Sequence, residues 1–310
     1  MTTPTKGLEG VVAAESSISS IIDDQLTYVG IPIDDLAENA SFEEVVYLLW
    51  NFKLPNETEL EEIRKALVEN MKVPEGLIAH LKSYDLKSVH PMAALRTAVS
   101  YMSLYDENPE KLDRESNLKR AIRIQGNLGA IVTAFARLRN GEEPVQPKPE
   151  YTFAENFIYM LNGRAPKDIE VEAIDKALVL HADHELNAST FTARVCVATL
   201  SDMYSGITAA IGALKGPLHG GANEAVMKML TEIGEVDNAI PYVKDKLANK
   251  EKIMGMGHRV YRNGDPRAKH LKEMSRQLTE LVGEEKWFEM SIKIEDYIKE
   301  EKGLPANVDF

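Results

Sequence analysis

Three short segments near the end of the chain carry residues able to move protons beside a carbonyl group. They are Gly216-Pro217-Leu218-His219-Gly220-Gly221-Ala222-Asn223-Glu224, Gly255-Met256-Gly257-His258-Arg259-Val260-Tyr261-Arg262 and Asn307-Val308-Asp309-Phe310. Each delivers one acid/base group, His219, His258 or Asp309, from a turn marked by glycine or proline. Two imidazoles and a carboxylate suit a reaction that removes a proton next to a carbonyl and stabilises the enolate. His219 lies just before an expected helix that Asn223 is placed to cap. The positive end of that helix disfavours an imidazolium, so a neutral ring is expected to donate a hydrogen bond to a developing oxyanion.

Two further groups belong to this chemistry. Arg267, in Asp265-Pro266-Arg267, is able to hold a carboxylate through two parallel hydrogen bonds; the competing expectation is an ion pair with Asp265. His181-Ala182-Asp183-His184-Glu185 has the i, i+3 histidine spacing of one helix face but lacks the second histidine of a zinc-protease signature. A substrate-anchoring histidine suits it better than a metal ligand. Arg259, Arg262, Arg267, Lys269 and Lys272 cluster beside His258 and suggest a local anion site.

The chain has 310 residues and a formal net charge of −13, from 36 Lys+Arg against 49 Asp+Glu. That balance argues against a general nucleic-acid binder. Cys196 is the single cysteine and excludes an internal disulfide framework. No apolar run approaches membrane-spanning length and the N-terminus has no signal-like apolar region, so a soluble cytoplasmic protein with no membrane partner is expected.

Helical signals dominate. Ser41 with Glu44, and Asn56 with Glu59, have the spacing of capping boxes. A long helix is predicted over Arg114–Arg139, and others over Ser275–Val282 and Trp287–Lys299. Short strands are predicted at Glu9–Ala13 and Gln25–Ile31. Proline and glycine between Gly212 and Gly221 suggest a boundary, giving an all-α chain with a large domain (1–216) and a small domain (217–310).

Together, Leu180 to Thr190, the His219 turn, His258 through Arg267 and Asn307-Val308-Asp309 closely resemble, in order, the signatures of citrate synthase. Leu8 to Ala13 and Ser41 to Trp50 resemble the N-terminal part of its shorter bacterial and archaeal form. The resemblance implies a two-domain helical homodimer condensing acetyl-CoA with oxaloacetate to citrate and CoA, the entry step of the tricarboxylic acid cycle. It implies Asp309 as the base, His219 and His258 as electrophilic groups, and His184 and Arg267 as oxaloacetate ligands. Gly255, Met256, Gly257 and Arg262 are then expected near CoA, which serves as the thioester co-substrate with no metal or other cofactor. Relatives of this form continue past the aspartate with two more oxaloacetate-binding arginines, so the resemblance implies a chain lacking that C-terminal segment. The alternatives are 2-methylcitrate synthase, which uses propionyl-CoA, and a non-catalytic truncated helical homologue.

Overall fold

Two tight hairpins are the first regular structure among the described residues. A computed structural model describes residues 12–217, 219–258, 261 and 264–310. Strand β1 (Ser19–Ile22) pairs antiparallel with β2 (Gln25–Tyr28), which pairs with β3 (Ile31–Pro32). Both connections place two consecutive residues at positive φ: Asp23 and Asp24 at 52° and 62°, Val29 and Gly30 at 50° and 83°. Two-residue loops of that kind match the right-handed twist of the flanking strands. The expected Gln25–Ile31 strand is therefore cut at Val29-Gly30. The expected strand at Glu9–Ala13 is not observed at Val12 and Ala13, and its first three residues lie outside the described ones.

All other regular elements among the described residues are helices, in line with an all-α fold. The helices are α1 (Ile33–Asn39), α2 (Phe42–Asn51), α3 (Glu57–Glu69), α4 (Glu75–Lys82), α5 (Pro91–Met102), α6 (Arg114–Arg139) and α7 (Phe153–Asn162). They continue with α8 (Asp168–Leu180), α9 (Ala188–Val197), α10 (Met203–Leu214), α11 (Ala222–Ile233), α12 (Ala239–Ala248), α13 (Ala268–Val282) and α14 (Lys286–Lys302). Ser41 and Asn56 form the expected capping boxes with Glu44 and Glu59, and Thr152 forms a third with Glu155. Each box satisfies donors that the first helical turn leaves unpaired.

Three cores hold these helices. The first joins α1, α2, α3, α7 and α8 with the sheet, through Leu26, Tyr28, Val45, Leu67, Phe153 and Leu180. The second joins α4, α5 and α6 through Leu77, Ala98, Met102 and Ile131, with Tyr204 of α10. Helix α6 packs closely against α3 because Gly126 lies there: a Cβ on it would stand 2.6 Å from the Leu67 carbonyl oxygen. The third core draws Val226, Leu230, Val243, Met290, Ile294 and Ile298 from α11, α12 and α14. Burying each such aliphatic side chain contributes about 1.5–3 kcal/mol before entropy is counted.

Helix α13 leaves the third group and lies on the first. Its Leu271 packs against the first core, and Lys269 and His270 each reach the Asp34 carboxylate of α1 at 2.7 Å. Lys272 pairs with Glu295 at 2.7 Å. The basic cluster expected as an anion site is therefore partly a set of internal ion pairs at Lys269 and Lys272, while Arg259 and Arg262 lie outside the described residues.

Candidate active site

The turn after α8 carries His184, and the sheet holds that turn in place. The Tyr28 hydroxyl lies 3.1 Å from the Val179 carbonyl oxygen and 3.0 Å from that of Asp183. Ser19 donates its hydroxyl to the Asp183 carboxylate, and the Glu185 N–H donates back to Ser19 Oγ at 3.1 Å. Glu185 has φ 54°, a left-handed conformation costly for a residue with a side chain. Its carboxylate repays part of that strain by accepting from the Ile21 N–H at 3.0 Å. Asn187 then caps α9 by accepting from Ser189 N–H at 2.9 Å and Thr190 N–H at 3.0 Å.

Ser189, in the first turn of α9, reaches the second expected site residue. Its Oγ stands 2.7 Å from His219 Nε2. His219 lies in the loop from α10 to α11, where its own N–H donates to the Gly216 carbonyl at 3.0 Å. The loop folds so tightly that a Cβ on Gly220 would stand 2.5 Å from Leu214 Cδ1. The expected cap is different: Gly221 is the N-cap of α11, and Asn223 lies within its first turn, accepting from Glu224 N–H at 2.7 Å.

His258 and Asp309 come from two segments laid side by side. Gly255 and Gly257 have φ of 78° and 74°, and Met256 between them bridges antiparallel to Ala306. Gly257 N–H donates to the Pro305 carbonyl at 2.7 Å, and Asn307 N–H donates to that of Gly255 at 2.9 Å. The Asn307 side chain donates to the Gly257 carbonyl at 2.8 Å and accepts from Asp309 N–H at 2.9 Å. Asn307 thus clamps Asp309 onto the turn that leads into His258. Phe310 fills the space beside Gly255.

Arg267 is buried against Asp265. Its Nε and Nη2 donate to the two carboxylate oxygens at 2.9 and 2.8 Å, so the ion pair expected as the competing reading is present. Tyr261 contacts both imidazoles: its hydroxyl is 2.8 Å from His184 Nε2, and its N–H donates to His258 Nδ1 at 3.2 Å. A neutral His258 accepting there must carry its proton on Nε2. The His184 and His258 rings meet edge to face with centroids 5.7 Å apart.

Burial sets the electrostatics of the group. It pushes the His184 imidazole down to about 4, assisted by the Arg267 and His258 charges. It also lowers His258, against the pull of Asp265. The same desolvation raises the Asp309 carboxyl, while Arg267 works in the opposite direction. A desolvated carboxylate is a stronger base than one in water, and neutral imidazoles are hydrogen-bond donors rather than cations. The arrangement can therefore offer a basic carboxylate and neutral hydrogen-bond donors on separate segments.

The structure brings His184, His258, Arg267 and Asp309 into one electrostatic group, with His219 joined through Ser189 to the segment carrying His184. Arg262 lies outside the described residues. The Gly255–Gly257 backbone is engaged by 305–307. Among the described residues, no group of three or more potential metal-ligating side chains stands together. Reading the sequence missed Ser189 and Tyr261 as participants. Tyr261 was visible only as a neighbour of His258, and nothing local ties Ser189 to a histidine 30 residues later.

Known proteins resemble the chain over nearly its whole length. The family model described as citrate synthase, C-terminal domain, matches residues 7–310. Citrate synthase 2 of Bacillus subtilis is 67% identical over 308 residues, covering 99% of this chain and 83% of that protein. A 2-methylcitrate synthase of Mycobacterium tuberculosis is 39% identical, covering 100% of this chain and 81% of its own length. A Thermoplasma acidophilum citrate synthase structure, in ternary complex with carboxymethyl coenzyme A and oxaloacetate, superposes with TM-score 0.92 at 36% identity, covering 98% of this chain and 81% of that one. With its signature histidines gathered as described and a family match spanning nearly its whole length, the chain belongs to the citrate synthase family.

Proposed function

We propose that the group around His184, His258 and Asp309 condenses acetyl-CoA with oxaloacetate to give citrate and free CoA. Asp309 takes a proton from the acetyl methyl group. His219 donates a hydrogen bond to the thioester oxygen as the enolate forms. The enolate carbon attacks the oxaloacetate ketone; His258 gives its Nε2 proton to the ketone oxygen, which becomes the hydroxyl, and the proton taken up by Asp309 restores the imidazole by way of solvent. Water then cleaves the thioester. His184 and Arg267 hold the oxaloacetate. Gly255, Met256, Gly257 and Arg262 are assigned to the CoA side. These steps use only side chains and the thioester, with no metal or redox group.

The observation that carries this reading is the Asn307 clamp. It fixes the segment of Asp309 to the turn that presents His258, through bonds of 2.8 and 2.9 Å. The base and the electrophile are thereby delivered from adjacent backbone.

We assign residues 1–216 to a large domain and 217–310 to a small one; the core built from α11, α12 and α14 supports that division. We also infer a homodimer, supported by Val195 and Val197 on α9 and Leu200 beyond it, which are 54%, 40% and 75% exposed in the single chain. No helix among the described residues is long and apolar enough to cross a membrane, and a cytoplasmic location suits a thiol-containing chain without disulfides.

The test is CoA release from acetyl-CoA and from propionyl-CoA with oxaloacetate. The 67% identity to a citrate synthase, against 39% to a 2-methylcitrate synthase, favours acetyl-CoA. One methylene is worth about 1–3 kcal/mol in a pocket. Faster turnover of propionyl-CoA would favour the 2-methylcitrate reaction, and no CoA release would favour the non-catalytic reading.

A further inference from the structure

Tyr261 touches three residues of the oxaloacetate side at once. It is 1% exposed. Its hydroxyl stands 2.8 Å from His184 Nε2, and its backbone N–H donates to His258 Nδ1 at 3.2 Å. Its ring lies 4.7 Å from that of His258, and the Arg267 guanidinium stands 6.0 Å from its centroid. A ring needed only to fill space would serve as well without the hydroxyl. A buried hydroxyl is retained at a cost unless it has a partner.

We propose that Tyr261 is the positioning residue that sets the tautomer of His184 for oxaloacetate binding, acting through its hydroxyl. The proposal rests on the assignment of His184 to oxaloacetate. A neutral imidazole has one donor nitrogen and one acceptor nitrogen, and its neighbours decide which is which. Burial pushes the Tyr261 hydroxyl up and the His184 imidazole down, so at neutral pH the phenol keeps its proton and the ring is neutral. The His184 ring also meets the carbonyl of its own residue, an acceptor that places the ring proton on Nδ1; the phenol then donates to Nε2, and oxaloacetate shares the Nδ1 proton with that carbonyl or displaces it. Ionised oxaloacetate offers only acceptors, two carboxylates and a ketone, so a donor nitrogen is what it needs. The Tyr261 N–H fixes the neighbouring ring in the opposite sense, with the His258 proton on Nε2. One residue therefore sets complementary tautomers in two rings whose centroids are 5.7 Å apart.

Tyr261→Phe separates the two effects, because it removes the hydroxyl and keeps both the ring and the backbone N–H. The measurements are imidazole nitrogen shifts in histidine-labelled enzyme, oxaloacetate affinity by calorimetry, and the KM for each substrate. His184→Asn assigns the His184 resonances and serves as the control. In Tyr261→Phe, His184 is expected to lose its single tautomer while His258 keeps its own. Oxaloacetate affinity should fall roughly tenfold, the scale of one hydrogen bond, with the acetyl-CoA KM changed by less than about twofold. Unchanged His184 shifts, or unchanged affinity in Tyr261→Phe when His184→Asn loses it, would overturn the proposal alone. Unchanged affinity in both variants would overturn the assignment of His184 on which it rests.

Discussion

The Asp265 carboxylate holds the Arg267 guanidinium through two bonds of 2.9 and 2.8 Å, and its Oδ2 also accepts from the Val308 N–H at 3.3 Å. Val308 immediately precedes Asp309. The residue that orients the proposed oxaloacetate anchor thus also touches the segment of the proposed base. Both partners of the pair are buried, at 6% exposure each. Asp265→Ala leaves the arginine uncompensated, and breaking a buried pair from one side typically costs about 3–5 kcal/mol. Chemical denaturation should show a loss of that order, together with weaker oxaloacetate binding. A change below about 1 kcal/mol would mean that Arg267 finds another partner or water.

The directions of the site's ionisations set a pH profile. The proposed mechanism needs Asp309 ionised and the His184 and His258 rings neutral. Burial raises Asp309 above its ordinary 3.8 and lowers His258 below its ordinary 6.5. His184, at about 4, stays neutral until still more acid conditions than an ordinary histidine. Activity should therefore fall with acid along a limb that Asp309 places above 3.8 in a plot of log kcat against pH. An acid limb centred at or below 3.8 would contradict the raised Asp309 carboxyl.

Asp175 offers a stability test away from the site. It accepts from the Phe42 N–H at 3.1 Å, and burial, with Glu43 and Glu44 nearby, pushes it up to about 6. A raised folded value means that the folded chain binds the proton more tightly than the unfolded chain. The resulting stability is fully present below 3.8 and is lost as pH rises through about 6. Asp175→Asn keeps the acceptor for Phe42 and removes the charge. It should add about 1–3 kcal/mol at pH near 8, with the gain shrinking toward acid. Urea denaturation at both ends of that range gives the answer, and a pH-independent difference would refute the linkage.

Local signals were the readable part of the sequence. Ser41 with Glu44 and Asn56 with Glu59 satisfy donors within one turn, so their spacing suffices to place two helix starts. The long helix over Arg114–Arg139 was also legible, ending just before Gly141 at φ 80°. The strand Ser19–Ile22 was not, because its value lies in bonds to Asp183 and Glu185, 164 residues away. Asp23-Asp24 forms a hairpin without glycine, which hides the usual turn signal. At the site, glycine and histidine spacing marked His219 and His258, whereas the Ser189 contact depends on how α9 packs beside the α10–α11 loop.

Gly255 links fold to site. It has φ 78°, and a Cβ there would stand 2.8 Å from Phe310 Cβ and 2.9 Å from Val226 Cγ2. Gly255→Ala combines backbone strain with overpacking, each costing about 1–3 kcal/mol. Because Phe310 follows Asp309 directly, kcat should fall further than the loss of stability alone explains. Wild-type kcat and thermal midpoint in this variant would show that neither the turn nor its neighbour matters.

The central claim is that Asp309 is the base for condensation, and Asp309→Asn tests it most directly. The substitution keeps the side-chain shape and removes the proton acceptor. CoA release from acetyl-CoA and oxaloacetate should be measured alongside oxaloacetate affinity for both forms of the enzyme. The account predicts kcat lower by roughly 10²–10⁴ with oxaloacetate affinity retained. Turnover equal to that of the unaltered enzyme would contradict it and remove Asp309 from the mechanism.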